Sequence, residues 1–198
     1  MTVSRLDEAQ LLTAVEELAD LLTDTVDGGA SVGFLAPLDR AGAVAWWKGR
    51  AAAVAAGQLA VWVARGENRV PGGEERAPRG EDQVPGAGSR VLGTVSLALA
   101  DKPNSRHRAE LVKLMVHRDA RGQGLGRGLL ATAEEAAAAA GITLLHLDTE
   151  TGSPAERLYR SAGWTPAGAI PDYAADPAGV LRPTTIYYKH LAEAAPTS

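Results

Sequence analysis

The 198-residue sequence predicts one α/β domain, residues 1–198, built on a mixed, mainly antiparallel central sheet with flanking helices. Three observations predict it. A β-α-β unit occupies the middle, with strand AELVKLMV (109–116), a glycine-rich turn, a helix running to about residue 140, and strand ITLLHLDT (142–149). Upstream, QLAVWVAR (58–65) and RVLGTVSLAL (90–99) read as strands. Nothing between them can form a crossover helix, so they are expected to pair as a hairpin. Downstream, WTPAGAI (164–170) and TTIYYKHL (184–191) supply two further strand candidates.

The elements follow in order. Leu11, Leu12, Val15, Leu18, Leu21 and Leu22 mark one apolar helical face, preceded by a capping-box-like pair, Ser4 and Asp7, and closed by Gly28-Gly29. A second helix is expected from about Asp39 to Gly57, carrying Trp46 and Trp47. Between the hairpin strands RGENRVPG (65–72) recurs as RGEDQVPG (79–86). This Pro/Gly-rich duplication at 66–89 reads as an insertion at a flexible hairpin tip, where insertions are best tolerated. The helix after the glycine turn is expected to bury Leu125, Leu129, Leu130, Ala133, Ala136, Ala137 and Ala140, with Gly141 as its cap. SPAERLYRSAG (153–163) reads as a short helix with Ser153 as N-cap and Pro154 in the first position.

Composition narrows the function. Apolar residues make up 45% and charged residues 22%, which is globular composition, and the formal net charge of −4 argues against general nucleic-acid binding. The stretch 104–127 runs the other way, with Arg106, Arg108, Lys113, Arg118, Arg121 and Arg127 against Glu110 and Asp119, as an anion site requires. There are no cysteines, which excludes disulfides, thiolate metal sites and a cysteine acyl-enzyme. No metal is expected, because His107, His117, His146 and His190 have no metal-ligand spacing. His146, on a buried strand, reads as a hydrogen-bonded core residue. With no signal-peptide pattern at MTVSRLDEAQ and no apolar window long enough for a bilayer, the expectation is a soluble, cytoplasmic chain that engages neither membrane nor nucleic acid.

The glycine turn HRDARGQGLGRGLLATAEE (117–135) admits two readings. GRGLLA (126–131) fits a dinucleotide fingerprint, with Asp148 placed 22 residues beyond Gly126 as the ribose-binding acid. That fingerprint opens its domain and follows its strand at once. Here it arrives two-thirds along the chain, behind a hairpin, so the oxidoreductase reading fails on order. The alternative takes Arg121-x-x-Gly124-x-Gly126 as a pyrophosphate loop. Strand, R/Q-x-x-G-x-G and helix, followed by Ala155, Leu158, Tyr159 and Gly163-Trp164, resemble the GNAT family of N-acetyltransferases over roughly residues 90–190. A narrower likeness, in AELVKLMVHRDARGQGLG, LLHLDTETGSPAERLY and PDYAADPAGVLRPTTIYYK, is to the tabtoxin-resistance enzymes, which acetylate an amine on a small amino-acid-like toxin. Residues 5–57 read mostly as helix, so the family's first strand is expected to be missing or displaced.

The resemblance implies acetyl-CoA as cofactor and a small-molecule amine as acceptor. It assigns the pyrophosphate to Arg121, Gly122, Gln123, Gly124, Leu125 and Gly126, helped by the helix dipole. It assigns pantetheine to the main chain of Leu114, Met115 and Val116, with the amide of Met115 or Val116 polarising the thioester carbonyl. Ser153 or Gly152 stands where the family has a pantetheine-contacting asparagine. A protonated amine must lose a proton before it attacks, and a carboxylate is the natural acceptor. The resemblance places Glu110 and Asp148 near the acetyl group, either one serving as base, and matches Tyr159 to the tyrosine that protonates the departing thiolate. Trp46, Trp47 and Tyr173 are candidates for lining the acceptor pocket. Without cysteine, transfer is expected to be direct, in a ternary complex. A module that binds acyl-CoA and transfers nothing is the alternative from another class.

Overall fold

A computed structural model describes residues 1–67 and 89–192. The 66–89 insertion and its repeat therefore lie almost wholly outside the described residues. The elements are β1 (Thr2–Leu6), α1 (Glu8–Asp27), α2 (Arg40–Lys48), α3 (Ala51–Ala55), β2 (Leu59–Glu67), β3 (Ser89–Leu99), β4 (Arg108–Val116), α4 (Leu125–Ala139), β5 (Leu144–Glu150), α5 (Pro154–Ser161), β6 (Thr165–Ala175) and β7 (Leu181–His190). Seven strands form one sheet in the order β1-β2-β3-β4-β5-β7-β6. Only β4 and β5 run parallel, because α4 crosses between them; every other neighbour is antiparallel. The expected mixed sheet and the β2–β3 hairpin are both present.

Helices cover the sheet on both faces. α1, α2 and α3 bury Leu11, Leu18, Leu22 and Trp47 against Val61, Val63, Val91 and Met115. On the opposite face, α4 and α5 bury Leu129, Leu130, Ala133 and Tyr159 against Ala60, Trp62, Val95, Leu111, Leu145 and Leu147. β2 thus alternates between two cores, which explains its nearly continuous apolar run. Gly93 in β3 lets α4 approach: a Cβ there would stand 2.8 Å from Leu129 Cδ1 and 3.0 Å from the Met115 carbonyl oxygen. Glu17 of α1 ties helix to sheet, accepting 2.7 Å bonds from Arg65 and a 2.8 Å bond from the Val91 amide.

Several expectations are corrected. The first strand is present: β1 pairs antiparallel with β2 from Thr2↔Arg65 to Leu6↔Val61. Five residues on a sheet edge, with only Leu6 buried, carry too little alternation to be read from sequence. The α1 capping box joins Asp7 to Gln10, each side chain bonding the other's backbone amide at 2.8 and 2.9 Å, while Ser4 lies within β1. The single helix expected over 39–57 is two, α2 and α3, separated at Gly49-Arg50. Ala140 is exposed just past the end of α4. β6 extends to Ala175 and so includes Tyr173.

Candidate active site

β4 and β5 pair only from Arg108↔Leu144 to Glu110↔His146, although β4 continues to Val116 and β5 to Glu150. β5 stays with β7 to its end, through Glu150↔Thr184. β4 departs because it carries a bulge. Ser96↔Val112 is followed by Thr94↔Met115, so Lys113 and Leu114 together oppose Val95. Lys113 takes φ +54°, a left-handed conformation rare for a residue of this type. The extra residue reverses the facing of the strand: Ala109 and Leu111 lie in the core under α4, but Met115 lies in the core under α1. Beyond Glu110 the two strands therefore open into a cleft whose facing edges have no strand partner among the described residues. Such edges are where an extended amide-bearing chain can add main-chain hydrogen bonds. Leu114, Met115 and Val116 occupy the β4 side of it.

The glycine turn lies at the end of that edge. Gly122 and Gly124 have φ +75° and +79°, backbone that a side chain would strain. Gly124 is the N-cap of α4, no side chain among the described residues caps that end, and its first turn holds no acidic residue. The earliest intrahelical bond from this end runs from the Gly128 amide to the Gly124 carbonyl, which leaves the Leu125, Gly126 and Arg127 amides as outward donors. Gln123 donates to the Asp119 carbonyl at 3.1 Å, bracing the turn. Arg118 is neutralised by Asp24, with its amide 3.0 Å from the same carboxylate. Arg121 donates to the Val116 carbonyl at 3.2 Å and is otherwise exposed beside the turn.

Two of the titratable candidates share one face of the strands that border the cleft. Glu110, on β4, and His146, its register partner on β5, lie on the sheet face opposite Ala109 and Leu145, and Asp148 follows two residues along on that same face. His146 is half-buried and its Nε2 lies 3.1 Å from Arg108, so it is hydrogen-bonded as expected but at the edge of the core. Burial holds the Lys113 ammonium below the usual lysine range, opposed by the negative charges of Asp148 and Glu110. Tyr159, from α5 on the other side of the sheet, is pushed up by burial and then by Asp148. Asp148 thus lies in the field of both Lys113 and Tyr159, and a phenol in that setting keeps its proton.

The remaining candidates divide. Trp46 is half-buried, edge-on to Phe34 at 5.5 Å and to Trp47 at 4.9 Å. Trp47 is fully buried, and its indole donates to the Leu18 carbonyl at 3.1 Å, so it is a core residue that also walls the space beside Trp46. Tyr173 is 50% exposed on an irregular part of β6, next to Asp172 at φ +52°. Ser153 caps α5, accepting from the Glu156 amide at 3.1 Å, and its Oγ lies 3.4 Å from Thr149 Oγ1. Sequence reasoning missed Glu156. Only 5% exposed, its carboxylate accepts from the Gly152 amide (2.7 Å), Arg160 (2.9 Å) and the Tyr187 hydroxyl (2.8 Å). Burial pushes this acid up, but the Gly152 amide, Arg160 and Tyr187 outweigh it and hold the group at about 2. The network fixes the β5–α5 turn at the mouth of the cleft. Among the described residues, no three His, Cys, Asp or Glu side chains converge to hold a metal, and no helix is long and apolar enough to cross a membrane.

Comparison with known proteins meets this geometry. Residues 77–164 match the family model "Acetyltransferase (GNAT) family". A ribosomal-protein-alanine N-acetyltransferase from Brucella melitensis is 23% identical, with TM-score 0.67 over 96% of this chain and 100% of that one. The fold is the GNAT acetyltransferase fold. yncA of Salmonella typhimurium, solved with its cofactor acetyl-CoA, shares the GNAT fold at 22% identity and TM-score 0.67, over 100% of this chain and 98% of its own. A chain named as a phosphinothricin N-acetyltransferase matches at 19% identity and TM-score 0.66, over 97% and 99%. Family model and GNAT fold together support an acetyltransferase, and acetyl-CoA is the acetyl donor of the GNAT acetyltransferases.

Proposed function

We propose that this protein moves an acetyl group from acetyl-CoA to the primary amine of a small molecule, by direct transfer in a ternary complex. The observation that carries the proposal is the open β4–β5 cleft running to the uncapped, glycine-turned N-terminus of α4. The cleft edge offers main-chain partners for pantetheine at Leu114, Met115 and Val116. The turn and helix amides from Gly122 to Gly126, with Arg121 and Gln123 beside them, offer donors for a pyrophosphate. Ser153 stands at the cleft mouth for a further contact. The residues fit acetyl-CoA, which supplies an acetyl group already activated as a thioester.

The chain's own groups do the rest. Glu110 or Asp148 accepts the proton that the acceptor ammonium must lose, directly or through water. The freed amine lone pair forms the new C–N bond as the C–S bond breaks. The amide of Met115 or Val116 hydrogen-bonds the carbonyl oxygen, the Tyr159 hydroxyl gives its proton to the departing sulfur, and the second proton shed by the new amide nitrogen passes to solvent, from which Tyr159 is reprotonated. Trp46 and Trp47 border the acceptor side, with Tyr173 the outlying candidate on β6. The motif likeness to the tabtoxin-resistance enzymes supports an amino-acid-like toxin or antibiotic as acceptor.

Thermal unfolding with acetyl-CoA, coenzyme A or NAD tests the cofactor. A ligand at about 100 times its Kd adds about 2.7 kcal/mol, which raises the midpoint of a chain this size by roughly 5–10 °C. The expected result is a rise with acetyl-CoA and coenzyme A, none with NAD, and thiol release when an accepted amine is added. A rise with NAD alone would overturn the proposal.

A further inference from the structure

Beside the cleft, between α2–α3 and the sheet, is a cavity of about 320 Å³ whose lining includes Trp46, Arg50, Ser96, Val112 and Lys113. Its walls are mainly apolar, yet it holds two cations. Lys113 Nζ lies 5.2 Å from the Trp46 ring centre and 5.7 Å from that of Phe34, and the Arg50 guanidinium lies 5.0 Å from the Trp46 ring. Among the described residues, neither cation has a carboxylate within salt-bridge distance. Lys113 spends one of its three N–H donors on the Val32 carbonyl at 2.8 Å, and the others remain available. Ser96 gives an independent sign. It is 1% exposed, it lines this cavity, and among the described residues its hydroxyl has no hydrogen-bond partner. An orphaned buried hydroxyl destabilises the fold, a cost that a ligand oxygen would relieve. The bulge makes the arrangement possible, because it turns Lys113 out of the β4 alternation and toward this space.

We propose that this cavity is an anion subsite, in which Lys113, Arg50 and the Ser96 hydroxyl hold the carboxylate of the acetyl acceptor while its amine faces Glu110 and Asp148. The inference rests on the acetyltransferase reading and deepens it: the acceptor carries both charges, and the site matches each with its opposite. The Trp46 ring, already facing both cations, covers the carbon skeleton between them. An acceptor lacking the carboxylate would leave the half-buried Lys113 ammonium short of a counter-charge and the buried Ser96 hydroxyl without a partner, and a site built for a polar group rejects such analogues strongly.

The test uses the full-length protein with acetyl-CoA and pairs of acceptors. β-Alanine, 6-aminohexanoate, L-methionine and L-phenylalanine are each compared with the amine left by removing the carboxylate. Thiol release gives kcat/KM, and indole fluorescence from Trp46 and Trp47 reports binding without turnover. The expected result is a preference of about 30-fold or more for the carboxylated member of at least one pair. Arg50→Gln and Lys113→Asn should each reduce that ratio about tenfold; asparagine tolerates the left-handed backbone at 113. If Lys113→Asn fails to fold, the exposed Arg50→Gln alone decides. Equal use of both members, unchanged ratios in the variants, or no fluorescence response to any carboxylate while acetyl-CoA still raises the midpoint would overturn the subsite and spare the acetyltransferase reading. Failure of acetyl-CoA to raise the midpoint would overturn that reading itself.

Discussion

Lys113 shows what a single residue can disclose. In AELVKLMV it has the parity of Ala109, Leu111 and Met115, all buried, so strict alternation would put an ammonium in the core. A charge at a core position in an otherwise regular strand marks a break in register, and β4 bulges there. The same scale holds the catalytic candidates. Glu110 and Asp148 were legible through motif likeness, but their shared sheet face required two strands to be placed side by side. Tyr159→Phe keeps the ring in the core and removes only the proton donor. It should lower kcat about 100-fold with the KM for acetyl-CoA within about twofold. Glu110→Gln and Asp148→Asn, measured across pH, should differ: the variant that loses the base loses the rising limb of the pH–rate profile. Full activity in all three variants would discard the assigned roles.

At the scale of elements, α5 is placed by chemistry that sequence periodicity does not report. Its capping residues, Ser153 and Pro154, were readable, yet the Glu156–Arg160–Tyr187 network joins α5 to β7 across 31 residues of chain. Glu156 is held at about 2 in the folded protein, below its ordinary value of 4.5. A depressed carboxyl contributes stability that is full above its unfolded pKa and lost as pH falls through the folded one. Denaturant unfolding of the wild type should therefore weaken between about pH 4.5 and 2. Glu156→Gln should show a shallower slope there and cost about 1–3 kcal/mol at neutral pH. An identical acid limb in both proteins would refute the linkage. The helix expected over 39–57 is two helices: α2 ends at its C-cap Gly49, whose amide bonds back to the Ala45 carbonyl, although Ala43, Trp47 and Ala51 are buried at helical spacing across the break, so periodicity alone does not report it.

At the scale of the molecule, the two layers of helix meet the sheet at fixed distances, and Gly93 sets one of them. Gly93→Val would drive side-chain atoms into Leu129 of α4 and against the Met115 carbonyl. Overpacking of this kind costs about 1–3 kcal/mol, a fall in Tm of roughly 2–12 °C, and it displaces the helix whose N-terminus faces the cleft. Acetyl-CoA affinity should fall with it; an unchanged Tm would show that α4 adjusts freely.

The sequence by itself determined the α/β class, the β2–β3 hairpin, the β4–α4–β5 unit and the glycine turn, because each is written in local periodicity or in a motif of fixed spacing. Tertiary structure alone decided the rest. Edge strand β1 has too few buried residues to announce itself. The divergence of β4 from β5 arises because β4 is held to β3 through a bulge while β5 is held to β7, a competition between partners distant in the chain. The cavity with Lys113, Arg50 and Ser96 exists only where α2–α3 and three strands come together, and no spacing along one segment encodes a meeting of that kind.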